Sequence, residues 1–477
     1  MRILVLLHRW LGVGFCLLFA MWFASGIVMH FVPFPAMTEA ARFSALSPID
    51  VAQVRLGPQQ AVSASGLASA QRVRLVQRID GPLYIVSDAR RSMAIRADDG
   101  ADGSVGSDSL ALKVADAHAR RRGVDASQAA FVALVDRDQW TVSGEYDGHR
   151  PLYLTALNDP AGTELYVSSQ TGEVVLETTH HQRAWNYLGS VAHWIYPTIL
   201  RSHLAAWSQI VWTLSLVALF TAALGLLLGI LRLRVTRAGI GSPFRGWQAW
   251  HHIFGLLTST FLLAWIFSGW LSMDNGLLFS DGHSSRAAGI AVDWDRLGGN
   301  SHALSAGAVE VEWFAWGDRL YRRERTGFDS QSMVAIDAAS EPAQPPRSYL
   351  TTQEIDSVIQ RSEAGCAAPI VVGSEDAYPV TSSLPGAPIY RSMCGDVWIQ
   401  VDGATGMLVE RLDSSRRIYR WLYTALHTMN FPVLFRHPGV RSGLIVALCA
   451  IGFVFSITGA VIGWRRLRSR FPSLALP

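Results

Sequence analysis

Four apolar segments, at 4–32, 211–231, 247–273 and 443–464, constrain this chain more than any other feature. Each is long enough to cross a bilayer, which takes about 20 apolar residues, and none can be left in water. Between them lie two polar stretches of about 150 residues, so a membrane bundle with two water-facing regions is expected. The first segment carries a histidine at each end. At about 3.6 residues per turn, His8, Gly12, Phe15, Phe19, Trp22, Gly26 and His30 share one helical stripe, with the two imidazoles roughly 33 Å apart. That is close to the hydrocarbon thickness. Each histidine has a glycine four residues toward the middle, so the backbone one turn away is bare and a flat, bulky group could lie against it. A membrane haem needs such an arrangement. The apolar run exceeds the usual signal-peptide core of about 7 to 15 residues and no Ala-x-Ala site follows, so a retained anchor is expected.

With half of its 477 residues hydrophobic, 17 Trp and 17% charged residues, the chain is too apolar for a plain soluble enzyme and too polar for a bare bundle. A net charge of +3, with no basic run away from the membrane flanks, gives no footprint for nucleic acid. The arginines are placed informatively. Arg2 and Arg9, then Arg232, Arg234, Arg237 and Arg245, then Arg465, Arg466, Arg468 and Arg470 flank the apolar segments, with no acid at 225–250 or after Val461. By the positive-inside rule these places and both termini are cytoplasmic, and the polar regions lie outside.

Helix 1–32 leads into a polar region at 33–184. There, 72–80, 83–87 and 93–97 alternate as short strands, 109–122 reads as a helix stopped by Gly123, and 140–143, 151–155, 164–168 and 174–176 return to strand. The region is therefore compact α+β. Residues 185–234 hold an aromatic-rich interfacial piece with His193, followed by the second span. A linker at 235–246, a span at 247–273, a second α+β region at 274–414 and an interfacial helix with the last span at 415–470 complete the order.

The halves repeat one another. Leu7-His8-Arg9-Trp10-Leu11-Gly12 aligns with Trp250-His251-His252-Ile253-Phe254-Gly255, and Ser25-Gly26 then meets Ser268-Gly269 without a gap. The strand-turn-strand around Thr171-Gly172 matches that around Thr405-Gly406, the piece ending at His193 matches that ending at His427, and Arg201 with His203 matches Arg436 with His437. Two parallel repeats would let equivalent histidines face one another across a pseudo-twofold axis.

At these residues the chain resembles the PepSY-associated transmembrane family of bacterial inner-membrane proteins. The opening Leu7 to Gly12 with Ser25-Gly26, Ala192-His193, Leu426-His427 and Ile457-Thr458-Gly459 resemble the family's motifs, and the Glu164 to Val174 hairpin is similar to the end of a PepSY domain. The resemblance implies four transmembrane helices in two repeats with two periplasmic PepSY-like α+β domains. It also implies an iron-regulated protein and, for the two-haem members, a metal reductase acting on a periplasmic ferric siderophore. The electron donor is not identified by the sequence.

A histidine at a membrane helix is costly and marks function by default. His8 and His251 begin equivalent helices, so they are expected to share one b-type haem, with His252 as the fallback. For the second haem His193 and His427 are the preferred pair and His30 the main rival. His180 and His181 are expected to face water, and His118, His149, His283 and His302 to be surface residues. Cys16 and Cys449 lie in spans and should simply pack, whereas Cys366 and Cys394 share an oxidising compartment that favours a disulfide. No CxxC, c-type haem motif or zinc pattern is present, and no hydrolytic triad or phosphate loop stands out. Two function classes follow: di-haem electron transfer to a periplasmic iron complex, or a non-redox PepSY-type anchored protein that binds or regulates a partner.

Overall fold

The computed structural model describes all residues except 238, 276–277, 281–291, 298–303, 337–344, 364 and 471–477, so His283 and His302 lie outside the described residues. The chain divides into two compact units, a membrane unit of 1–34, 182–280 and 415–477 and a sheet unit of 35–181 and 281–414.

Among the described residues four helices are long and apolar enough to cross a membrane, and they build the membrane unit: Arg2–Phe31, Leu204–Leu231, Trp247–Leu271 and Pro438–Arg470. The second and fourth exceed the apolar segments that announced them. Helical backbone satisfies its own N–H and C=O groups, so it continues through polar ends where hydropathy stops. Phe19, Phe23, Ala218, Leu262, Ile266, Ile445 and Cys449 make the bundle core. The last helix packs tightly on the first at Gly452, where an added Cβ would stand 2.6 Å from the Phe23 ring.

Two pieces lead into the second and fourth spanning helices. One runs as helix His180–Asn186 and π-helix Tyr187–Val191 to His193; the other runs as helix Ser414–Tyr419, π-helix Arg420–Ala425 and helix Leu426–Thr428 through His427. Each ends in a left-handed residue two positions past its histidine, Ile195 at φ +50° and Met429 at φ +51°. A β-branched residue rarely holds that conformation, and such outliers cluster at functional sites. Asn186 fixes the first piece, donating from Nδ2 to the Pro33 carbonyl at 3.0 Å and accepting from the Ser190 hydroxyl at 2.7 Å.

The sheet unit opens with β1 (Arg72–Arg78), β2 (Gly81–Ser87), β3 (Ser92–Arg96), β4 (Ala130–Val135), β5 (Leu152–Ala156), β6 (Glu164–Ser168) and β7 (Val174–Thr178). After a short hairpin of the membrane unit, β8 (Arg234–Thr236) with β9 (Gly239–Gly241), it continues as β10 (Glu310–Trp316), β11 (Arg319–Gly327), β12 (Ser330–Ala335), β13 (Ile370–Val371), β14 (Ile389–Cys394), β15 (Val397–Asp402) and β16 (Leu408–Leu412). The polar regions, expected as separate domains at 33–184 and 274–414, join through one six-stranded sheet of order β12-β11-β10-β1-β2-β3, with β1 antiparallel to β10. Neither three-stranded meander is left with a bare central edge. Two four-stranded sheets, β4-β5-β6-β7 and β13-β14-β15-β16, complete the unit.

Ion pairs tie the shared sheet together. Glu310 on β10 meets Arg42 at 2.7 Å and Arg74 of β1 at 3.3 Å, and Arg325 of β11 reaches Glu39 at 2.6 Å. Cys366 and Cys394 form a disulfide, while Cys16 and Cys449 are buried free thiols. Three expectations are corrected. Residues 140–143 are a turn, because Asp138 accepts hydrogen bonds from the Trp140 and Thr141 amides and the Thr141 hydroxyl. The strand there is β4, whose unbroken apolar run hid its period. His118 and His149 are not surface residues: the His118 side chain is 9% exposed beside Glu177, and His149 Nδ1 lies 3.2 Å from the Ser168 hydroxyl.

Candidate functional site

Four histidines of the membrane unit meet in two pairs. The rings of His8 and His251 have centroids 6.5 Å apart, and those of His193 and His427 are 6.2 Å apart. A metal bound end-on takes each imidazole nitrogen at about 2.0–2.1 Å, and with a ring centre roughly 1.1 Å further back the two centres stand about 6.3 Å apart. Both pairs have that spacing. Ser25, which contacts His193, lies 17 helical steps along the first helix from His8, so the pairs lie roughly 25 Å apart along the helix axis.

The hydrogen bonds fix which nitrogen is available. Ser25 Oγ spends its proton on the Met21 carbonyl at 2.6 Å, as a hydroxyl inside a helix does, and so it accepts from His193 Nδ1–H at 3.0 Å. Ser268 Oγ donates to the Trp265 carbonyl at 3.0 Å and accepts from His427 Nδ1–H at 3.1 Å. Thr458 Oγ1 donates to the Phe455 carbonyl and accepts from His251 Nδ1–H at 2.9 Å. His8 Nδ1 faces the Thr221 carbonyl at 3.3 Å, which can only accept. In all four imidazoles Nδ1 therefore carries the proton and Nε2 keeps its lone pair. Among the described residues none hydrogen-bonds the Nε2 of these four. His252, the fallback, is excluded by the same test: Nε2–H donates to the Gly229 carbonyl at 2.8 Å and Nδ1 faces the Ser242 hydroxyl at 2.9 Å.

Each ring lies against a glycine of a neighbouring helix: His8 on Gly225, His193 on Gly26, His251 on Gly459 and His427 on Gly269. At Gly12, expected to be bare, an added Cβ would meet nothing within 4 Å. His30 joins neither pair; its ring is edge-on to Phe31 at 5.1 Å. His180 and His181 are exposed, as expected. The sequence singled out the ligand candidates but missed Thr458 and Thr221 as their acceptors. It also missed Trp22 and Trp265, whose indoles donate to the His193 carbonyl at 3.0 Å and the Leu426 carbonyl at 2.9 Å. The repeated Trp three residues before each Ser-Gly was the signal available.

Among the described residues no group of three or more His, Cys, Asp or Glu side chains could hold a metal ion. Each pair offers two nitrogen donors, so a metal held there would take its remaining coordination positions from a ligand that it brings. A tetrapyrrole brings four. No curated protein matches the chain. The family model for the PepSY-associated TM region matches residues 5–466, and the chain belongs to that family of multi-pass membrane proteins.

Proposed function

We propose that this chain is a bacterial inner-membrane electron-transfer protein that holds two b-type haems and reduces a periplasmic ferric complex, a ferric siderophore being the best candidate, so that iron is released. The observation that carries this reading is the convergence of four Nδ1-protonated imidazoles into two pairs at metal-sharing distance. His8 and His251 would hold the haem on the cytoplasmic side and His193 and His427 the one on the outer side. Bis-imidazole haem supplies one-electron cycling between Fe(III) and Fe(II). The residues would do the rest: the paired Nε2 atoms would hold the iron, the Nδ1 acceptors orient the rings, and the packed aromatic core about Phe19, Phe23 and Trp265 would keep water from between the pairs. One electron reduces one substrate Fe(III), and hard oxygen chelators hold Fe(II) far more weakly. The matching hydrogen-bond patterns and spacing of the two pairs also support two parallel repeats. A binding or regulatory anchor would have no use for these pairs.

The test is spectroscopic. Purified protein should show a Soret band that sharpens and splits its visible bands on dithionite. His8→Ala and His251→Ala should each remove the same haem, with the double variant no worse than either single one, because both residues would hold one group. His193→Ala and His427→Ala should act alike on the other. Two full haems in His8→Ala would defeat the cytoplasmic assignment, and loss of the outer haem with His30→Ala but not His193→Ala would move the outer site.

A further inference from the structure

The third spanning helix repeats a five-residue pattern of the first: Trp22-Phe23-Ala24-Ser25-Gly26 recurs as Trp265-Ile266-Phe267-Ser268-Gly269. Each copy grips one histidine-bearing piece at two points. Trp22 donates to the His193 carbonyl and Ser25 accepts from the His193 ring; Trp265 donates to the Leu426 carbonyl and Ser268 accepts from the His427 ring. The glycine that ends each copy lets the ring lie close, with an added Cβ 3.9 Å from His193 Cε1 at Gly26 and 3.2 Å from His427 Cε1 at Gly269. Ser25 is 2% exposed and Ser268 is fully buried, so water cannot replace either hydroxyl cheaply.

We infer that Ser25 and Ser268 are positioning residues that set the tautomer and the donor strength of the His193–His427 pair, and through it the electron affinity of the metal held there. The inference rests on the haem reading above. A ligating imidazole whose other N–H is hydrogen-bonded is more basic and better fixed in orientation. Loss of the acceptor weakens donation to Fe(III) more than to Fe(II), so the midpoint potential rises. The control lies within the protein. The His8–His251 pair relies on Thr458 and a backbone carbonyl, so it is untouched by changes at either serine.

The experiment is a potentiometric titration of full-length, detergent-solubilised protein, followed in the haem bands. Ser25→Ala and Ser268→Ala should each raise the midpoint of one haem, leave the other in place, and weaken haem retention at the affected site about 10- to 100-fold. Ser25→Thr, which keeps a hydroxyl, should restore the midpoint. A purely structural serine would lower haem content or stability while the haem that remained kept its midpoint, and that result overturns the inference. Nitrogen-15 histidine NMR of haem-free protein gives a readout that does not need the cofactor. His193 should be Nδ1-protonated in the parent and lose that bias in Ser25→Ala; an unbiased or Nε2-protonated parent refutes the tautomer assignment. A parent protein that binds no haem under any loading would instead refute the haem reading, with the NMR result still judging the serines.

Discussion

A Cβ added to Gly225 would stand 2.7 Å from Cε1 of His8, closer than real side-chain contacts come. The four ring-bearing glycines form a graded series, with the corresponding distance 3.2 Å at Gly269 to His427, 3.5 Å at Gly459 to His251 and 3.9 Å at Gly26 to His193. In open helix, alanine is favoured over glycine by about 1 kcal/mol. Gly26→Ala and Gly459→Ala should therefore be neutral or slightly stabilising and keep both haems. On the haem reading proposed here, Gly225→Ala should displace His8 and remove the His8–His251 haem alone, and Gly269→Ala should fall between. Haem-to-protein ratios across the four variants check the order, and full haem content in Gly225→Ala would contradict it.

The disulfide between Cys366 and Cys394 closes a loop of 28 residues beside the core residues Tyr390 and Ile359. In the chain-entropy account such a loop stabilises by roughly 3 to 4 kcal/mol. The double Cys→Ser variant should lower the denaturation midpoint of the sheet unit accordingly, read by hydrogen exchange in β14 and β15. Cys16 and Cys449, both buried, should resist alkylation until the bundle is unfolded.

The candidate histidines were legible because internal repetition is a property of the sequence, whereas glycine spacing misled: Gly12 meets no ring and Gly26 takes His193 rather than His30. Their pairing was legible only as symmetry: nothing in the letters said that Thr458, far along the chain, would take the His251 proton, or that His252 would have both nitrogens occupied. The spanning helices were found by apolar length, while their ends were missed where helical hydrogen bonding outlasts hydropathy. In the sheet unit, strands with clean alternation such as β1 were found. The turn at 140–143 was missed because an Asp138 side chain, rather than a strand partner, satisfies its amides. The pairing of β1 with β10 joins residues more than 230 positions apart, a register no local pattern encodes.

Acid should loosen that junction. Burial alone would raise the carboxyl of Glu310, but the Arg42 and Arg74 guanidiniums overcome it and hold the group well below the usual carboxylate range. Glu39 and Glu173 are lowered in the same way, burial opposing and the neighbouring arginines prevailing. A depressed carboxylate stabilises above its unfolded value, about 4.3 for Glu, and that stability is lost as pH falls through the folded values. The carboxylate contribution should thus be constant near neutrality and be lost progressively below about pH 4, while His149, lowered by burial, adds a separate loss as pH falls below its ordinary value of about 6.5. Glu310→Gln should cost about 3 kcal/mol, the low end for breaking a buried pair, because Glu39 and Glu173 still face the arginines, and it should flatten the acid response. Hydrogen exchange in β1 and β10 against pH is the measurement; an acid slope unchanged by Glu310→Gln would remove Glu310 as its source.

The orientation proposed for the chain across the membrane rests on charge. The membrane unit contains 17 arginines and a single acid, Asp274, whereas the remaining 24 basic and 37 acidic residues belong to the sheet unit. Ten of those arginines sit at one end of the spanning helices, from Arg2 and Arg9 through Arg232, Arg234, Arg237 and Arg245 to Arg465, Arg466, Arg468 and Arg470. Short loops rich in arginine are retained in the cytoplasm, while long, acidic regions translocate largely regardless of charge. A reporter fused near Gly241, in the β8–β9 hairpin, should be active only in a cytoplasmic assay, and one near Gly100 only in an export-dependent assay. Replacing Arg232, Arg234, Arg237 and Arg245 together with alanine should weaken retention and yield a mixed signal at Gly241. An export-active reporter at Gly241 in the parent chain would invert the topology, and would exchange the entry and exit sides assigned to the two histidine pairs.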